Sequence, residues 1–441
     1  MKETIIQFGE GNFLRGFVDY FIHKLHEKGL YDGKVVVVQP IEKGLVPVLN
    51  EQAGVYNLYL RGMENGQQVV EHTRVTSISR GIDPYADFDA FLRLADSPDF
   101  RFVVSNTTEA GIAFDSTCAF TDKPARSFPG KVTQLLFRRF QNNLPGFVFL
   151  ACELIDNNGG ELRDCVLRYA DLWELGDEFK AWIDSENTFC NTLVDHIVTG
   201  YPKDEAEALC KELGYQDKLL DTAEIFHLWV IEGNFEQELP LQKAGFHVVW
   251  TDDVRPYKKR KVRVLNGAHT SMVCPAMLAG LSTVGECLAD EQMRRFLNTC
   301  LFQAILPVLG ENEENMAFTS AVLERFSNPF IKHQLSSISL NSVSKYSVRV
   351  LPTVLDFYKA NGVYPKVLVF SLAALLVFYK TASPQDDAAV IQSIRQRDLP
   401  QILSDEALWG ADLSGLLPLV QESIQRIARD GIREAIEWAI S

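Results

Sequence analysis

The sequence predicts an α/β fold in its first half, a doubly wound and mostly parallel sheet, followed by a mainly α-helical domain. Three observations predict this fold. Short apolar segments alternate with helical patterns up to about residue 250, a glycine-containing turn joins the first strand to the first helix, and strand signals become rare later in the chain. Alternating strands and helices typically build a parallel sheet with helices on both faces.

The first strand is predicted over residues 4–8, and the second over residues 34–38. Between them lie Gly9 and Gly11, and then apolar residues recur every fourth position from Phe13, as on one helix face. Glycines at such a turn let the backbone approach a pyrophosphate whose charge faces the helix N-terminus. This order predicts a Rossmann-type dinucleotide-binding domain. A plain strand-to-helix turn is the alternative, because Leu14 stands where a third glycine usually falls.

The remaining elements divide the chain into a dinucleotide-binding domain at residues 1–256 and a helical catalytic domain at residues 257–441. Further strands are predicted at residues 69–78, 101–105 and 147–151, separated by helical or loop stretches such as residues 85–95 and 131–141. Long helical patterns in the second part cover residues 290–309, 317–326 and 412–440.

Composition narrows the class of protein. The formal net charge of −15 over 441 residues disfavours nucleic acid and anionic membranes as general partners. The longest uncharged apolar run, residues 367–378, is shorter than the ~20 residues of a membrane span and predicts a buried core helix. Eight scattered cysteines and a first segment without signal-peptide character predict a cytoplasmic protein with reduced thiols.

The run KKRKVRVLNGAHTS carries Lys261, Asn266 and His269. At about 100° per residue of an α-helix, the second and third of these lie roughly 140° and 80° around the axis from the first, so all three can border one cleft. A lysine can carry a proton, an amide can hydrogen-bond an oxygen that gains negative charge, and an imidazole can orient a hydroxyl. The triple suits alcohol oxidation or carbonyl reduction, and a solvated basic helix end is the alternative.

This spacing, followed by Thr270, resembles the signature of the long-chain mannitol dehydrogenase family. The resemblance implies a metal-free, nicotinamide-dependent oxidoreductase in which Lys261 transfers the proton, Asn266 binds the developing alkoxide and His269 positions a hydroxyl. The sequence contains no HExxH motif and no Cys/His cluster, so no metal site is expected. Nucleophilic hydrolysis is also not expected, because there is no GxSxG elbow.

Two strand ends carry further similarity to the family. The run Asn-Thr-Thr-Glu-Ala-Gly, which contains Thr107, Thr108 and Glu109, is similar to a T-x-T-E-x-G segment and implies cofactor contacts. A capped helix start explains this run equally well. After the next strand, Leu154 stands where polyol-acting members have an asparagine, which leaves Asn158 as the one asparagine implied to bind substrate.

Other family segments imply substrate contacts. Asp195 is expected to hold a sugar hydroxyl or to orient the lysine, and Lys345 to bind a cofactor phosphate or a substrate carboxylate. His333 and Arg349 are further candidates for the same pocket as Lys345. Surface charge is the alternative reading for all four.

The cofactor expected is NAD. An acidic residue after the second strand accepts hydrogen bonds from the ribose 2′-hydroxyl and repels a 2′-phosphate, and Glu42 is the acid nearest that strand end. The expected cofactor-binding residues are the turn and the second strand end: Gly9, Gly11, Asn12, Phe13, Arg15, Gln39 and Glu42.

The resemblance, with the departure at Leu154, implies a small keto sugar acid as the substrate. Another family member that acts on a different uronate or on a neutral polyol is one alternative. A non-catalytic regulator that binds a dinucleotide is an alternative of another class. The sequence does not predict an oligomeric state.

Overall fold

The computed structural model describes every residue from Met1 to Ser441, and the chain divides into two units. The first unit comprises Met1–Arg61 and Val69–Arg255, and the second comprises Gly62–Gln68 and Pro256–Ser441. The second unit thus includes Gly62–Gln68, a short segment that the boundary predicted at residue 256 assigns to the first domain. None of the helices combines the length and the apolar character needed to span a bilayer.

Twelve strands form three sheets. The strands are β1 (Lys2–Phe8), β2 (Gly33–Val38), β3 (Tyr56–Glu64), β4 (Gln67–Val75), β5 (Ile78–Ile82), β6 (Phe102–Ser105), β7 (Val148–Ala151), β8 (Thr188–Cys190), β9 (Thr192–Asp195), β10 (Asp221–Glu224), β11 (Leu228–Glu232) and β12 (Val248–Thr251).

The main sheet has six parallel strands in the order β5-β2-β1-β6-β7-β8. The chain therefore winds outward from β1 through β2 to β5, and then returns to the other side of β1 with β6. In such sheets ligands bind beyond the carboxyl ends of the strands, at the point where the winding direction reverses. The doubly wound parallel fold predicted from the sequence is confirmed, and the reversal point lies between β1 and β6.

Both faces of this sheet are buried. Ile5, Val35 and Val37 belong to one apolar core, whereas Ile6 and Val36 belong to the other. Successive side chains of a strand point to opposite faces, so a strand buried on both sides is apolar at every position. This burial explains the four consecutive valines of β2, whereas β1 also carries the buried polar residue Gln7.

Eight helices belong to the first unit. Their bounds are α1 (Asn12–Gly16), α2 (Val18–Glu27), α3 (Val46–Glu51), α4 (Phe88–Leu92), α5 (Phe128–Gln141), α6 (Asn158–Leu172), α7 (Asp177–Glu186) and α8 (Ala206–Leu213), and a 3₁₀ turn covers Arg93–Asp96.

The first predicted helix is interrupted. Phe17, at φ −122° and ψ −85°, separates α1 from α2. The aromatic face nevertheless continues across the break, with ring centroids 5.2 Å apart between Phe13 and Phe17 and 4.6 Å apart between Phe17 and Phe21. The spacing of apolar residues shows which side of a segment is buried. The break at Phe17 keeps that side buried, so the spacing does not reveal it.

Residues 69–78, predicted as one strand, form two. β4 ends at Val75 and pairs in the sheet β10-β3-β4, whereas β5 begins at Ile78 and pairs with β2. The buried Ser77 between them donates its hydroxyl to the Asp19 carbonyl oxygen at 2.6 Å. This buried polar contact holds the chain where it passes from one sheet to the next.

Apart from the ends of β3 and β4 in Gly62–Gln68, the second unit is built of helices. They are α9 (Arg255–Lys261), α10 (Gly267–Leu278), α11 (Val284–Ala289), α12 (Glu291–Asn298), α13 (Leu306–Leu309), α14 (Glu313–Phe326), α15 (Leu335–Ile338), α16 (Ser342–Arg349), α17 (Leu351–Asn361), α18 (Lys366–Thr381), α19 (Ala388–Gln396), α20 (Leu399–Leu403), α21 (Glu406–Trp409), α22 (Leu417–Asp430) and α23 (Ile432–Ile440), with a 3₁₀ turn at Ser414–Leu416. Two π-helical segments, Val262–Asn266 and Thr299–Ile305, join helices end to end.

The buried core helix predicted at residues 367–378 is confirmed as part of α18, and all of these residues except Val377 are buried. It packs against α10 and α22. Two long predicted helices are subdivided: residues 290–309 form α12, a π-helical segment and α13, and the pattern at 412–440 is broken at Gly431, which has φ +89°.

Candidate active site

Lys261, Asn266 and His269 lie on one run of helix, but this run is not a uniform α-helix. Lys261 ends α9, the π-helical segment Val262–Asn266 follows, and His269 lies in the first turn of α10. A π-helical turn has i→i+5 hydrogen bonds and is frequent at functional sites. The angles of about 140° and 80° expected for an α-helix therefore do not apply, because the wider turn changes the phase between the three side chains.

Four polar atoms on this run are buried without a hydrogen-bond partner within the protein: Asn266 Oδ1, His269 Nε2, Thr270 Oγ1 and Ser271 Oγ. Leaving a buried polar atom unpaired costs about 1–3 kcal/mol, so such atoms are rare in folded proteins. Asn266 Oδ1 can accept a hydrogen bond from a sugar hydroxyl, and a half rotation of the amide presents its NH₂ group instead. The cluster has the hydrogen-bonding capacity that a polyhydroxylated ligand requires.

His269 lies between two rings. Its imidazole stacks on Phe326, with ring centroids 4.1 Å apart and planes 19° apart, and meets the His333 ring edge-on at 5.0 Å. Burial lowers the pKa of His269 well below its ordinary value, and the nearby His333, Arg325, Arg349 and Lys345 lower it further. The imidazole is therefore neutral at physiological pH, with one ring nitrogen as donor and the other as acceptor.

Helix α16 brings two of these basic residues to the helical run that contains Asn266 and His269. A Cβ on Gly267 would lie 3.2 Å from the Arg349 carbonyl oxygen, so the end of α16 packs closely on the residue that follows Asn266. Lys345, one turn earlier, donates its ammonium to the Ile338 carbonyl oxygen at 2.9 Å. Burial lowers the pKa of both basic groups.

The basic run before Lys261 has a structural member that the sequence analysis did not single out. Arg260 is buried, pairs with Glu314 of α14 at 2.5 Å, and lies over the rings of Tyr257 and Phe318. This contact fixes the end of α9 and thereby the start of the π-helical turn. The four consecutive basic residues gave no signal that one of them points inward, because the run lacks an apolar spacing of its own.

The glycine turn follows β1 at the reversal point of the main sheet. Gly9 has φ +120°, and a Cβ there would lie 2.9 Å from the Asn106 carbonyl oxygen, so only glycine fits. A Cβ on Gly11, by contrast, would meet no atom within 4 Å. Gly11 precedes α1, so the backbone of this turn is open to a ligand that approaches the helix start. The turn has the form that a dinucleotide phosphate requires.

Arg15 is buried beneath this turn. Its guanidinium donates to the Glu10 carbonyl oxygen at 3.2 Å, to Asn12 Oδ1 at 2.5 Å and to the Leu219 carbonyl oxygen. These protein acceptors occupy the guanidinium, and Phe13 packs partly buried against the core. The two side chains thus support the turn from below.

The loop after β2 is braced by two polar side chains. Gln39 is buried, donates to the carbonyl oxygens of Ile41 (2.9 Å) and Glu42 (3.3 Å), and accepts from the Val46 amide. Glu10 accepts a hydrogen bond from the Leu45 amide at 3.2 Å. Glu42 itself is exposed. Gln39 therefore shapes the loop, and the carboxylate of Glu42 is the group that the loop presents.

The loop after β6 depends on Glu153, a residue to which the sequence analysis gave no role. The backbone amide and the hydroxyl of Thr107 both donate to Glu153 Oε1 at 2.9 Å, and the Ser105 hydroxyl donates to Oε2 at 3.0 Å. Thr108 has φ +67°, rare for a β-branched residue, and Thr108 and Glu109 are exposed. Thr108 and Glu109 are thus exposed beside Thr107, which the hydrogen bonds to Glu153 hold in place.

Asn158 and Asp195 are both buried. The Asn158 amide nitrogen lies within hydrogen-bond distance of three carbonyl oxygens, those of Ala151 (2.9 Å), Glu153 (3.0 Å) and Thr192 (3.0 Å), and its oxygen accepts from two backbone amides. This use of the amide leaves no donor for a substrate and favours a role in holding the loop. Asp195 is the last residue of β9.

Comparisons with known proteins place the chain in a family. The Mannitol dehydrogenase Rossmann domain family matches residues 3–243, and the Mannitol dehydrogenase C-terminal domain family matches residues 253–421. The altronate oxidoreductase of Yersinia enterocolitica is 46% identical over 464 residues, which cover 98% of this chain and 96% of that protein. The altronate oxidoreductase of Bacillus subtilis is 44% identical and covers 99% of this chain and 95% of its own length.

Two solved structures share the fold. A substrate-free D-sorbitol dehydrogenase has a TM-score of 0.86 at 24% identity and covers 99% of this chain and 95% of its own. The Pseudomonas fluorescens mannitol 2-dehydrogenase, solved as a ternary complex with NAD and D-mannitol, has a TM-score of 0.72 at 22% identity and covers 99% and 94%. The resemblance seen in the sequence is confirmed: the chain belongs to the mannitol dehydrogenase family of oxidoreductases.

Proposed function

We propose that this chain is an NAD-dependent altronate oxidoreductase, which reduces tagaturonate to altronate in a reversible reaction. The observation that carries the chemistry is the pair of buried, unpartnered atoms Asn266 Oδ1 and His269 Nε2 on the helical run that begins at Lys261. The substrate is suggested by relatives 44–46% identical over nearly the whole chain, which bear that name.

The first unit offers the features that NAD requires. The open turn at Gly11 suits the pyrophosphate, Asn12 begins the helix behind it, and the exposed Glu42 suits a ribose hydroxyl. Thr108 and Glu109 lie on the loop at the other side of the reversal point, beyond β6. When bound, NADH supplies the hydride for the carbonyl carbon.

The second unit supplies the proton and the binding of the reacting oxygen. Lys261, as an ammonium, donates a proton to the carbonyl oxygen as that oxygen becomes an alkoxide. The Asn266 amide, turned so that its NH₂ group faces the substrate, donates a hydrogen bond to the same oxygen while its negative charge develops. In the oxidative direction the neutral amine of Lys261 removes the proton from the substrate hydroxyl. Carbonyl, hydride and proton together give the alcohol.

His269 binds rather than protonates. The neutral imidazole, whose pKa is well below its ordinary value because of burial and nearby basic groups, offers Nε2 to a substrate hydroxyl. The stacked Phe326 ring, 4.1 Å away, fixes the plane of the imidazole. His269 therefore selects the orientation of the sugar chain.

We place the enzyme in the cytoplasm, with a small keto sugar acid as its partner. All eight cysteines are buried and free of disulfides, which fits a reducing compartment. The net charge of −15 argues against nucleic acid as a partner.

The test is NADH consumption with tagaturonate, fructuronate and neutral ketoses side by side. We expect tagaturonate to be reduced with the highest kcat/KM and altronate to be oxidised in the reverse assay. Faster turnover of fructuronate would reassign the chain to fructuronate reduction, and a preference for fructose or mannitol would make it a polyol dehydrogenase. No turnover of any of these compounds, with NADH binding intact, would favour a non-catalytic dinucleotide-binding regulator.

A further inference from the structure

We infer that Arg349 binds the carboxylate of the sugar acid, and that it distinguishes acidic from neutral substrates. This inference rests on the proposed function, because it names the group that recognises the acid. Four observations in the second unit support this inference: the position of Arg349, the charge around it, its lack of an acidic partner, and the contacts of its basic neighbours Lys345 and His333.

The first observation is the position of Arg349 next to the helical run that contains Asn266 and His269. Arg349 ends α16, and its carbonyl oxygen would lie 3.2 Å from a Cβ on Gly267. Gly267 lies between Asn266 and His269, the two residues with unpartnered buried atoms. The backbone of Arg349 is thus fixed against this helical run.

The second observation is the local charge around Arg349. The groups that act most strongly on the pKa of His269 electrostatically are His333, Arg325, Arg349 and Lys345, and all four are basic residues that lower it. The chain as a whole has a formal charge of −15, so a cluster of basic groups runs against its general character. Such a cluster favours an anionic ligand over a neutral one.

The third observation is the absence of an acidic partner for Arg349. Two other well-buried arginines of this unit pair with carboxylates, Arg260 with Glu314 at 2.5 Å and Arg263 with Asp356 at 3.0 Å. Burial alone accounts for the lowered pKa of Arg349, with no acid that opposes it. A half-buried guanidinium without a counter-ion is costly, and its planar fork matches a carboxylate with two parallel hydrogen bonds.

The fourth observation concerns Lys345 and His333, the basic residues near Arg349. Lys345 already donates to the Ile338 carbonyl oxygen at 2.9 Å, and the carboxylate of Asp386 is near enough to raise its pKa against the effect of burial. Burial and Lys345 lower the pKa of His333, which is therefore neutral at physiological pH. Arg349 has the planar guanidinium that can bind a carboxylate through two parallel hydrogen bonds, and the charge of Lys345 adds to the field.

The experiment compares Arg349→Gln with the wild type on two substrates: tagaturonate, and the neutral ketose in which a hydroxymethyl group replaces the carboxylate. Loss of a guanidinium–carboxylate pair should lower kcat/KM for the acid by about 100-fold, mainly through KM. The value for the neutral ketose should stay within about threefold. Arg349→Lys, which keeps the charge without the fork, should recover part of the loss.

Two controls separate the possible outcomes. Arg294→Gln removes the same charge from an exposed position of this unit and should leave both substrates unaffected. A fluorescence titration with NADH should give the wild-type Kd for Arg349→Gln.

An equal loss of kcat/KM on the acid and the neutral substrate would overturn the inference. A weakened NADH affinity would also overturn it, because it would assign Arg349 to a cofactor phosphate. If the wild type reduces no uronate, both the proposed function and the inference about Arg349 fail. If the wild type reduces tagaturonate and Arg349→Gln does so equally well, the inference alone fails.

Discussion

Glu153 Oε1 accepts two hydrogen bonds from Thr107, from its backbone amide and from its hydroxyl, both at 2.9 Å. The two residues follow neighbouring strands, β6 and β7, so one buried carboxylate ties together two loops at the carboxyl edge of the main sheet. The loop that Glu153 holds is the one that carries Thr108 and Glu109. Glu153 itself contacts neither substrate nor cofactor in the proposed mechanism. We nevertheless expect it to determine the conformation of the cofactor-binding loop.

We predict that Glu153→Ala raises the KM for NADH about tenfold, because about 1.4 kcal/mol of lost loop order weakens binding by that factor. Loss of its buried hydrogen bonds should also destabilise the fold by about 1–3 kcal/mol. Steady-state kinetics and thermal denaturation measure the two effects. Glu153→Gln keeps an oxygen for Thr107 and should behave nearly as the wild type. An unchanged KM for NADH in Glu153→Ala would show that the loop does not need this anchor.

The sequence was sufficient for four strands of the main sheet, β1, β2, β6 and β7, because strands buried on both faces are mostly apolar and alternate with helices. It was insufficient for the short peripheral strands. β10 reads Asp-Thr-Ala-Glu, and its burial arises from pairing with β3, more than 150 residues earlier in the chain. No local pattern marks such a strand, since its environment is set by a distant partner.

The same distinction holds for the site. Lys261, Asn266 and His269 fall within nine residues, so their grouping is visible in the sequence. The π-helical turn between them is not visible, because apolar spacing does not distinguish one extra residue in a turn. Arg15 shows the same limit: its contact with the Leu219 carbonyl oxygen spans 204 residues, and its burial beneath the turn follows from that contact.

We predict that Lys261→Ala lowers kcat by about 10² to 10⁴ in both directions, because general acid and base catalysis contributes that much. NADH affinity should be unchanged, because Lys261 acts on the substrate oxygen and not on the cofactor. Lys259→Ala is the matched control, because it removes an exposed lysine from the same helix. Stopped-flow measurement of NADH oxidation separates the chemical step from product release. Near-normal turnover in folded Lys261→Ala would assign the proton to another group.

We predict that the enzyme prefers NADH to NADPH by at least about tenfold in kcat/KM, because an acidic residue after the second strand repels a 2′-phosphate. Glu42 is exposed on the loop that Gln39 and Glu10 brace, so Glu42→Gln should narrow this preference without disturbing the loop. Glu71→Gln, which removes an exposed acid from β4, should leave the preference unchanged. Equal rates with both cofactors in the wild type would refute the assignment.

Asp19 gives a prediction about stability and pH. It is fully buried behind the glycine turn, accepts a hydrogen bond from Gln7 at 3.0 Å, and leaves Oδ1 without a partner. Burial raises its pKa from 3.8 to about 7, against the opposing effects of Gln7 and Arg15. The folded state therefore holds this proton more tightly than the unfolded state does. Its contribution to stability is complete at low pH and is lost as the pH rises from about 4 to about 7.

Asp19→Asn has no such proton, so its stability relative to the wild type should increase across that pH window. Three pKa units correspond to on the order of 4 kcal/mol, which is the upper bound on the change. The unpaired amide of the variant costs a constant amount at every pH, so the slope isolates the titration. Urea denaturation at several pH values between 5 and 8 measures it, with the exposed Asp204→Asn as the control. Parallel curves for the wild type and Asp19→Asn would mean that this carboxyl group is ionised in the folded protein throughout the range.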